Sequence, residues 1–213
     1  AQDSCAGNEG VGPDGGVYVI DISNPSNPVQ AGFIKAHQDS YVGEGVQVLS
    51  VNTPAYKGDI LVMNNESCGK NYKGSFSIWN ISNPRKPFKL SENIGDYTTS
   101  DQPNRPHDAN QIHSVFAWQA GNKVYMVIVD DDEAKDIDIF DITNPRKPVF
   151  VTEISAPDSF DLNPQRANGN EVFLHDMVVK KIGTKYYMLM SYWDAGWIVA
   201  DVTDPANPIF VKD

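Results

Sequence analysis

The four histidines are the residues in this 213-residue chain whose type points most directly to chemistry, because imidazole is a common ligand of transition metals. Carboxylates near a histidine complete such sites, either as ligands or as hydrogen-bond partners that orient the ring. Glu44 and Glu171 are two such carboxylates. We therefore predict a copper, zinc or iron site whose members are His37, His107, His113, His175, Asp108 and Asp176.

A second interpretation of these histidines is that they satisfy backbone groups of exposed loops. The sequence contains no His-x-His pair and no His-Glu-x-x-His motif, so no local spacing selects metal binding. Both interpretations stay open from the sequence.

A run of acidic residues is the second candidate site. Oxygen ligands at short spacing suit Ca²⁺, which takes six to eight of them. The run lacks the glycine and the terminal glutamate of an EF-hand loop, and a solvated acidic loop is the alternative. The predicted calcium ligands are Asp130, Asp131, Asp132 and Glu133, with Asp136 and Asp138 nearby.

An internal repeat supplies the elements that must position these residues. An eight-residue motif, Asp/Asn-(Ile/Val)-(Ser/Thr)-(Asn/Asp)-Pro-x-(Asn/Lys)-Pro, begins at residues 21, 80, 141 and 201, which is a period of about 60 residues. A β-rich run precedes each copy and an apolar run follows it. The two prolines interrupt strand pairing, so each copy predicts a turn between two strands.

Two further strands are predicted within each whole repeat, before the motif. Runs such as Val124–Val129 and Tyr186–Met190 are apolar at successive positions, so both of their faces must be covered. Four strands per repeat with coverage on both sides is typical of stacked propeller blades. We predict an all-β fold: a β-propeller of four-stranded antiparallel blades, with about 3.5 blades present. A pair of β-sandwiches is the alternative.

The repeat also places the histidines. His113 and His175 align with Val46 at the start of the innermost strand, whereas His37 and His107 fall in the connection between blades. Connections of this kind share one face of a propeller, and innermost strands line its axis. We therefore expect the histidines to converge around the mouth of the channel.

The predicted domain is a single propeller segment, residues 1–213, that does not complete a ring. Closed rings have about four to eight blades. We expect a segment of a longer polypeptide, a cleaved protein, or a ring completed by another chain, with a homo-oligomer or filament as one outcome. The predicted units are a half blade, 1–36, and three blades, 37–96, 97–158 and 159–213.

The two cysteines occupy equivalent positions in successive units. A disulfide between Cys5 and Cys68 would clamp the half blade to its neighbour and would place the chain in an oxidising compartment. Two free thiols, or cysteines that bind a metal, are the alternatives.

Charge and missing motifs exclude several classes of function. A net charge of −11 argues against binding to a nucleic-acid backbone. The sequence contains no run of 18 apolar residues, so we predict no membrane span. The first 15 residues lack the features of a signal peptide, so either the chain is cytosolic or a targeting segment has been removed. Gly-x-Gly-x-x-Gly, the P-loop and Gly-x-Ser-x-Gly are missing, so we expect no nucleotide cofactor and no serine hydrolase.

The repeat resembles a known family. Gly16–Pro25 (GVYVIDISNP) and Asp138–Pro145 (DIFDITNP) are similar to the LVIVD repeat of bacterial and archaeal surface β-propellers. The resemblance implies an extracellular or envelope-associated propeller and names no ligand. Leu174–Val179 and the histidine placement are more weakly similar to the propeller of selenium-binding protein and methanethiol oxidase, which suggests a metal in the channel.

Three hypotheses follow. The first, which we favour, is a noncatalytic extracellular or cell-surface propeller that acts as a structural or binding module, stabilised by a metal. The second is a metal-dependent enzyme, an oxidoreductase of the methanethiol oxidase type or a hydrolase, with His113 and His175 near the axis. The third is an assembly protein whose half blade is completed by a neighbouring chain.

Overall fold

A computed structural model describes residues 15–37, 40–67, 74–92, 94, 111–131, 135–160 and 172–213. These residues form sixteen strands and one four-residue helix. The predicted all-β fold, with four-stranded antiparallel blades, is confirmed. The blade boundaries and the number of blades in a closed ring stay predictions.

The first two sheets differ in strand number. The first sheet pairs β1 (Gly16–Asp21) with β2 (Val29–Lys35). The second sheet has four antiparallel strands that pair in chain order. One short strand, which belongs to a separate ribbon, lies in the chain between its second and third strands. Its strands are β4 (Val46–Asn52), β5 (Lys57–Asn64), β7 (Phe76–Asn80) and β8 (Phe88–Glu92).

The third and fourth sheets repeat this four-stranded pattern. A short helix, α1 (Ala156–Ser159), follows the third sheet. The third sheet contains β9 (Ile112–Ala120), β10 (Lys123–Asp130), β11 (Ile137–Asp141) and β12 (Val149–Ile154). The fourth contains β13 (Leu174–Ile182), β14 (Lys185–Tyr192), β15 (Gly196–Asp201) and β16 (Ile209–Lys212).

A ribbon of two very short strands, β3 (Ser40–Tyr41) and β6 (Glu66–Ser67), lies outside these sheets. The sequence did not predict it. Two-residue strands have no periodicity that distinguishes them from loop, and the register Ser40↔Ser67, Tyr41↔Glu66 depends on contacts between distant segments. The ribbon matters because it holds Glu66 beside the start of β9.

The repeated motif builds the same turn four times. In the third copy, the Asp141 carboxylate accepts a hydrogen bond from the backbone N–H of Thr143 at 2.8 Å, and Asn144 Oδ1 accepts one from that of Arg146 at 3.2 Å. The Lys147 N–H then donates to the Asn144 carbonyl at 2.9 Å. Such Asx turns fix the chain reversal locally, which explains why Asn or Asp recurs at both positions.

The core consists of apolar layers between neighbouring sheets. One cluster joins β1 and β2 to the second sheet, another joins the second sheet to the third, and the largest joins the third to the fourth. Neighbouring innermost strands are also tied by glutamine side chains. Gln119 accepts from the Asn52 N–H at 3.1 Å and donates to the Asn52 carbonyl at 2.9 Å, so it extends the hydrogen-bonding pattern between β4 and β9.

Candidate metal centre

His113 and His175 lie side by side at the start of neighbouring innermost strands. Each is the second residue of its strand, β9 or β13. Their ring centroids are 4.9 Å apart, and the planes are inclined by 63°. The alignment of the repeats therefore brings these two rings together in space, while their predicted metal binding stays a prediction.

Glu44 faces both rings from the segment that leads into β4. Its Oε2 is 3.9 Å from His113 Nε2 and 3.7 Å from His175 Nε2. The Glu44 side chain is 54% exposed, whereas the His113 and His175 side chains are 19% and 32% exposed. Two imidazole nitrogens and one carboxylate oxygen thus face one small volume at the edge of the protein.

Glycines on both sides of Glu44 allow this approach. A Cβ on Gly45 would lie 2.7 Å from the backbone nitrogen of Val115, and one on Gly43 would lie 2.8 Å from Glu66 Oε2. A side chain at position 45 would push the segment away from β9. The close approach of Glu44 to the histidines therefore depends on glycine at position 45.

The other ring nitrogen of His113 is held by acids. His113 Nδ1 lies 3.2 Å from Glu66 Oε1 and 3.9 Å from Asp131 Oδ2, and Glu66 is only 8% exposed. The hydrogen bond with Glu66 raises the pKa of His113 above its ordinary value. Burial opposes this rise, and the negative charges of Glu66, Asp131 and Glu44 add to it.

This arrangement determines which nitrogen of His113 is available to a ligand. A carboxylate accepts hydrogen bonds, so Nδ1 carries the hydrogen and the neutral ring keeps its lone pair on Nε2. Nε2 is buried and has no hydrogen-bond partner among the described residues. A buried lone pair beside a second imidazole and a carboxylate fits a metal ion, and the carboxylate on the opposite nitrogen is the usual partner of a metal-binding histidine.

Asn64 fixes the strand that presents His113. Its Nδ2 donates to the carbonyls of Ile112 and His113 at 2.8 and 2.7 Å, and its side chain is fully buried. The Asn64 N–H donates in turn to the Gly45 carbonyl at 3.0 Å. One asparagine thus connects the second sheet, the Glu44 segment and the start of β9.

A cavity of about 300 Å³ adjoins the fourth-sheet side of this cluster. Asp176 lies in its wall, where Oδ1 accepts hydrogen bonds from Ser114 Oγ at 2.7 Å and from the Met177 N–H at 2.8 Å. Neither group of three metal-capable side chains among the described residues includes Asp176, and its role as a ligand stays a prediction. The cavity is lined by Glu44, His175, Asp176, Met177, Val178, Leu189, Ser191 and Trp197.

The predicted site residue His37 lies in a different environment. Its Nε2 is 3.6 Å from Glu92 Oε2, and its backbone N–H donates to Asn65 Oδ1 at 2.9 Å. Neither of the two groups of three metal-capable residues found among the described residues includes His37. The structure brings together His113 and His175 but not His37.

The acidic run divides between two environments. Asp131 lies beside His113, whereas Asp130 is buried and its N–H donates to the Asp136 carbonyl at 3.1 Å. Asp136 has a structural role, since its carboxylate accepts from the Leu174 N–H at 2.9 Å and from the Tyr192 hydroxyl at 3.0 Å. The calcium prediction stays untested. Asp132, Glu133, His107, Asp108, Glu171, Cys5 and Cys68 lie outside the described residues.

Sequence reasoning did not connect Glu66 and Asp131 with His113. The repeat offered a signal, because both occupy the same position, two residues beyond the equivalent residues Asn64 and Val129. The equivalent residue after β14 is Trp193, whose ring centroid is 5.0 Å from that of His175. This position contacts a histidine in each case.

Comparison with known proteins gives one family match. The family model of the LVIVD repeat matches residues 11–34, and no curated protein matches the sequence significantly. A solved structure, the crystal structure of alpha-L-arabinofuranosidase from Lactobacillus brevis, aligns with 92% of this chain at 13% identity and a TM-score of 0.47. The chain spans 65% of the length of that structure.

No helix among the described residues is long and apolar enough to cross a membrane. The similarity to selenium-binding protein stays a resemblance of sequence. The similarity to the LVIVD repeat is confirmed over the residues that the family model matches, which include β1 and nearly all of β2. Residues 11–34 match the LVIVD repeat, and the chain that contains them has a propeller-type fold of antiparallel blades.

Proposed function

We propose that the chain is a noncatalytic binding module of β-propeller type that holds a divalent transition-metal ion between neighbouring blades. The observation that carries this proposal is the convergence of His113 Nε2, His175 Nε2 and Glu44 Oε2. These atoms come from the third sheet, the fourth sheet and the segment before the second sheet. One ion would therefore tie three parts of the structure together.

The distances are compatible with a coordination sphere that contracts on binding. Tetrahedral zinc holds its ligands at about 2.0–2.1 Å, so ligand atoms lie about 3.3 Å from each other. The ligand atoms of the group lie within 4.8 Å of one another, and Glu44 Oε2, which is 3.7–3.9 Å from the two nitrogens, needs to approach each of them by only a few tenths of an ångström. Glu44 is exposed and its rotation supplies such a shift without disturbing the core.

The chemistry of the ligands favours a transition metal over calcium. Imidazole suits zinc, copper, iron and nickel, whereas calcium requires six to eight oxygens. Glu66 orients His113 from the opposite side, as expected for a ring that serves as a metal ligand. Zinc is the reference ion for a test, because it binds such mixed sites without redox chemistry.

The location we propose is extracellular or in the cell envelope, with a disulfide between Cys5 and Cys68 as its marker. The sequence Asn65-Glu66-Ser67 has the form of an N-glycosylation sequon, but it gives no support to this location. Asn65 is fully buried, and its side chain donates to Ser77 Oγ at 2.9 Å. Glycosylation there would require the second sheet to open.

Metal binding is tested by calorimetry and elemental analysis of protein first stripped with a chelator and then loaded with zinc. We expect one zinc per chain for the wild type and for His37→Asn, and loss of binding in His113→Asn and His175→Asn. His37→Asn is the matched control because His37 lies outside the cluster. Absence of stoichiometric binding, or an equal loss in His37→Asn, would overturn the proposal.

A metal-dependent enzyme is the second candidate, and the cavity beside His175 favours it. Catalytic zinc sites keep an open coordination position, whereas structural sites are closed by the protein. Cobalt-loaded protein distinguishes the two, because azide changes the visible spectrum of Co²⁺ when a position is open. The three ligand atoms described above leave one position of a tetrahedral ion open, so the enzyme requires a spectral change, and an unchanged spectrum, which requires a fourth protein ligand, supports the noncatalytic module.

A further inference from the structure

The fourth sheet has an apolar face that the described residues leave exposed. The equivalent faces of the second and third sheets are covered by the next sheet along the chain. Trp197 stands four residues before the motif and is 63% exposed. The residues four positions before the motif in the second and third sheets are Phe76 and Ile137, which are both fully buried. The same position is thus a core position in two sheets and an exposed one in the fourth.

The neighbours of Trp197 on this face are also more exposed than their equivalents in the third sheet. Leu189 pairs with Val199 across β14 and β15, and both are half-buried. The equivalent pair in the third sheet, Val127 and Ile139, is fully buried against the fourth sheet. We call Trp197, Leu189 and Val199 the forward face, because the equivalent face of each earlier sheet packs on the next sheet along the chain.

The first sheet has the opposite face uncovered. Ile20 and Ile22 flank the first residue of the motif and are 45% and 67% exposed. In the third sheet the equivalent residues, Phe140 and Ile142, are fully buried in the cluster shared with the second sheet. We call Ile20 and Ile22 the backward face, because its equivalents pack on the preceding sheet.

The fourth sheet repeats this pattern on its own backward side. Ala200 and Val202 are the residues equivalent to Ile20 and Ile22, and both are buried in the cluster with the third sheet. Every contact between full sheets therefore joins one forward face to one backward face. Within the described residues, the chain exposes one face of each kind.

We propose that the forward face of one copy packs on the backward face of a second copy, head to tail. The occupant is a second copy because the chain itself displays the complementary face, at the register positions that already form its internal interfaces. Burying Trp197, Leu189, Ile20 and Ile22 removes exposed apolar surface at both ends, as the hydrophobic effect favours. A contact between different faces is heterologous, so it produces rings or filaments.

Sedimentation velocity over a range of protein concentrations tests this association. We expect the wild type to form species larger than one chain as its concentration rises. Trp197→Glu removes the forward face and Ile20→Glu the backward face, and each variant alone should stay a single chain. Val149→Glu is the matched control, because Val149 is 60% exposed on the outermost strand of the third sheet and belongs to neither face.

Mixing the two variants separates head-to-tail packing from other modes. The intact backward face of Trp197→Glu should pack on the intact forward face of Ile20→Glu, so an equimolar mixture should form a species of two chains and none larger. Thermal unfolding of each variant establishes that it is folded. A wild type that stays a single chain at every concentration overturns the proposal, as do a dimer of Ile20→Glu alone and a mixture that does not associate.

Discussion

His113 and His175 occupy the same position in adjacent blades, and their imidazole rings lie edge to face with centroids 4.9 Å apart. A repeat places equivalent side chains close together wherever neighbouring innermost strands run side by side. Two histidines at one repeat position therefore form a pair without any local histidine motif. Glu44 completes the group from a segment that glycine allows to approach closely.

Glu66 should act on metal affinity without being a ligand. We expect Glu66→Gln to keep one zinc per chain while affinity falls by about 10 to 100-fold, because the carboxylate that orients His113 is weakened. Competition with a chelating dye measures this change. Glu153→Gln is the control, since the Glu153 carboxylate contacts Lys135 at 2.7 Å. An affinity unchanged in Glu66→Gln would contradict the orienting role.

Gly45→Ala should weaken zinc binding by displacing Glu44. The added Cβ would lie 2.7 Å from the backbone nitrogen of Val115, a contact that neither backbone can relieve without moving. Gly32→Ala is the matched control, because the nearest atoms to its Cβ lie 3.8 Å away. We expect Gly32→Ala to bind zinc as the wild type does. Equal affinities for the two variants would show that the position of Glu44 does not matter.

Asn64→Ala should destabilise the fold by about 3 kcal/mol, since the carbonyls of Ile112 and His113 lose their buried donor. Urea unfolding monitored by tryptophan fluorescence gives the free energy of unfolding. Asn27 is exposed in the first turn, and Asn27→Ala should change this free energy by less than about 0.5 kcal/mol. A loss in Asn64→Ala no larger than in the control would contradict this assignment.

The lowered pKa of Asp201 predicts that the protein loses folding stability at low pH. Hydrogen bonds from Lys185 and Thr203 lower the pKa of Asp201 from 3.8 to about 2. Because the folded state lowers this pKa, the contribution of Asp201 to stability is complete above pH 3.8 and is lost as the pH falls towards 2. Asp201→Asn should therefore flatten the decrease in melting temperature across this interval. An exposed control, Asp213→Asn, should keep the wild-type slope, and identical slopes for both variants would exclude the effect.

The cysteines give a prediction outside the described residues. Mass spectrometry after alkylation without reductant should find Cys5 and Cys68 unmodified and joined in one cross-linked peptide. Alkylation after reduction should modify both. Full modification without reductant would favour free thiols and remove the support for an oxidising compartment.

Local chemistry explains how much of the fold could be predicted. The turn at Asp141 forms through hydrogen bonds within seven residues, so its sequence is sufficient to identify it. The strands around it are read from their apolar runs. The position of Glu66, by contrast, depends on pairing between Tyr41 and Glu66 across 25 residues, and no local pattern encodes that contact.

The candidate site was predictable only in part for the same reason. Alignment of the repeats paired His113 with His175, because a repeat position becomes a spatial position when sheets stack. Alignment placed His37 near the same end of the blades, but a carboxylate from β8 lies beside its ring instead. His37 lies before β3, whereas the residue of its unit that is equivalent to His113 and His175 is Val46, so His37 does not share their position in the repeat.

Each of the four sheets has a bulge at the same place, between the second-to-last and the last residue before the motif. The register shifts fall between Val19 and Ile20, Ile78 and Trp79, Ile139 and Phe140, and Val199 and Ala200. The extra residue of each bulge lies on the outermost strand, as Ala31 does between Gln30 and Gly32. Since side chains alternate between the two faces of a strand, deleting that residue would exchange the faces of the outermost-strand residues on one side of it. Evolution can therefore lengthen or shorten such a chain by duplicating or losing whole blades far more readily than by single-residue insertions and deletions within them.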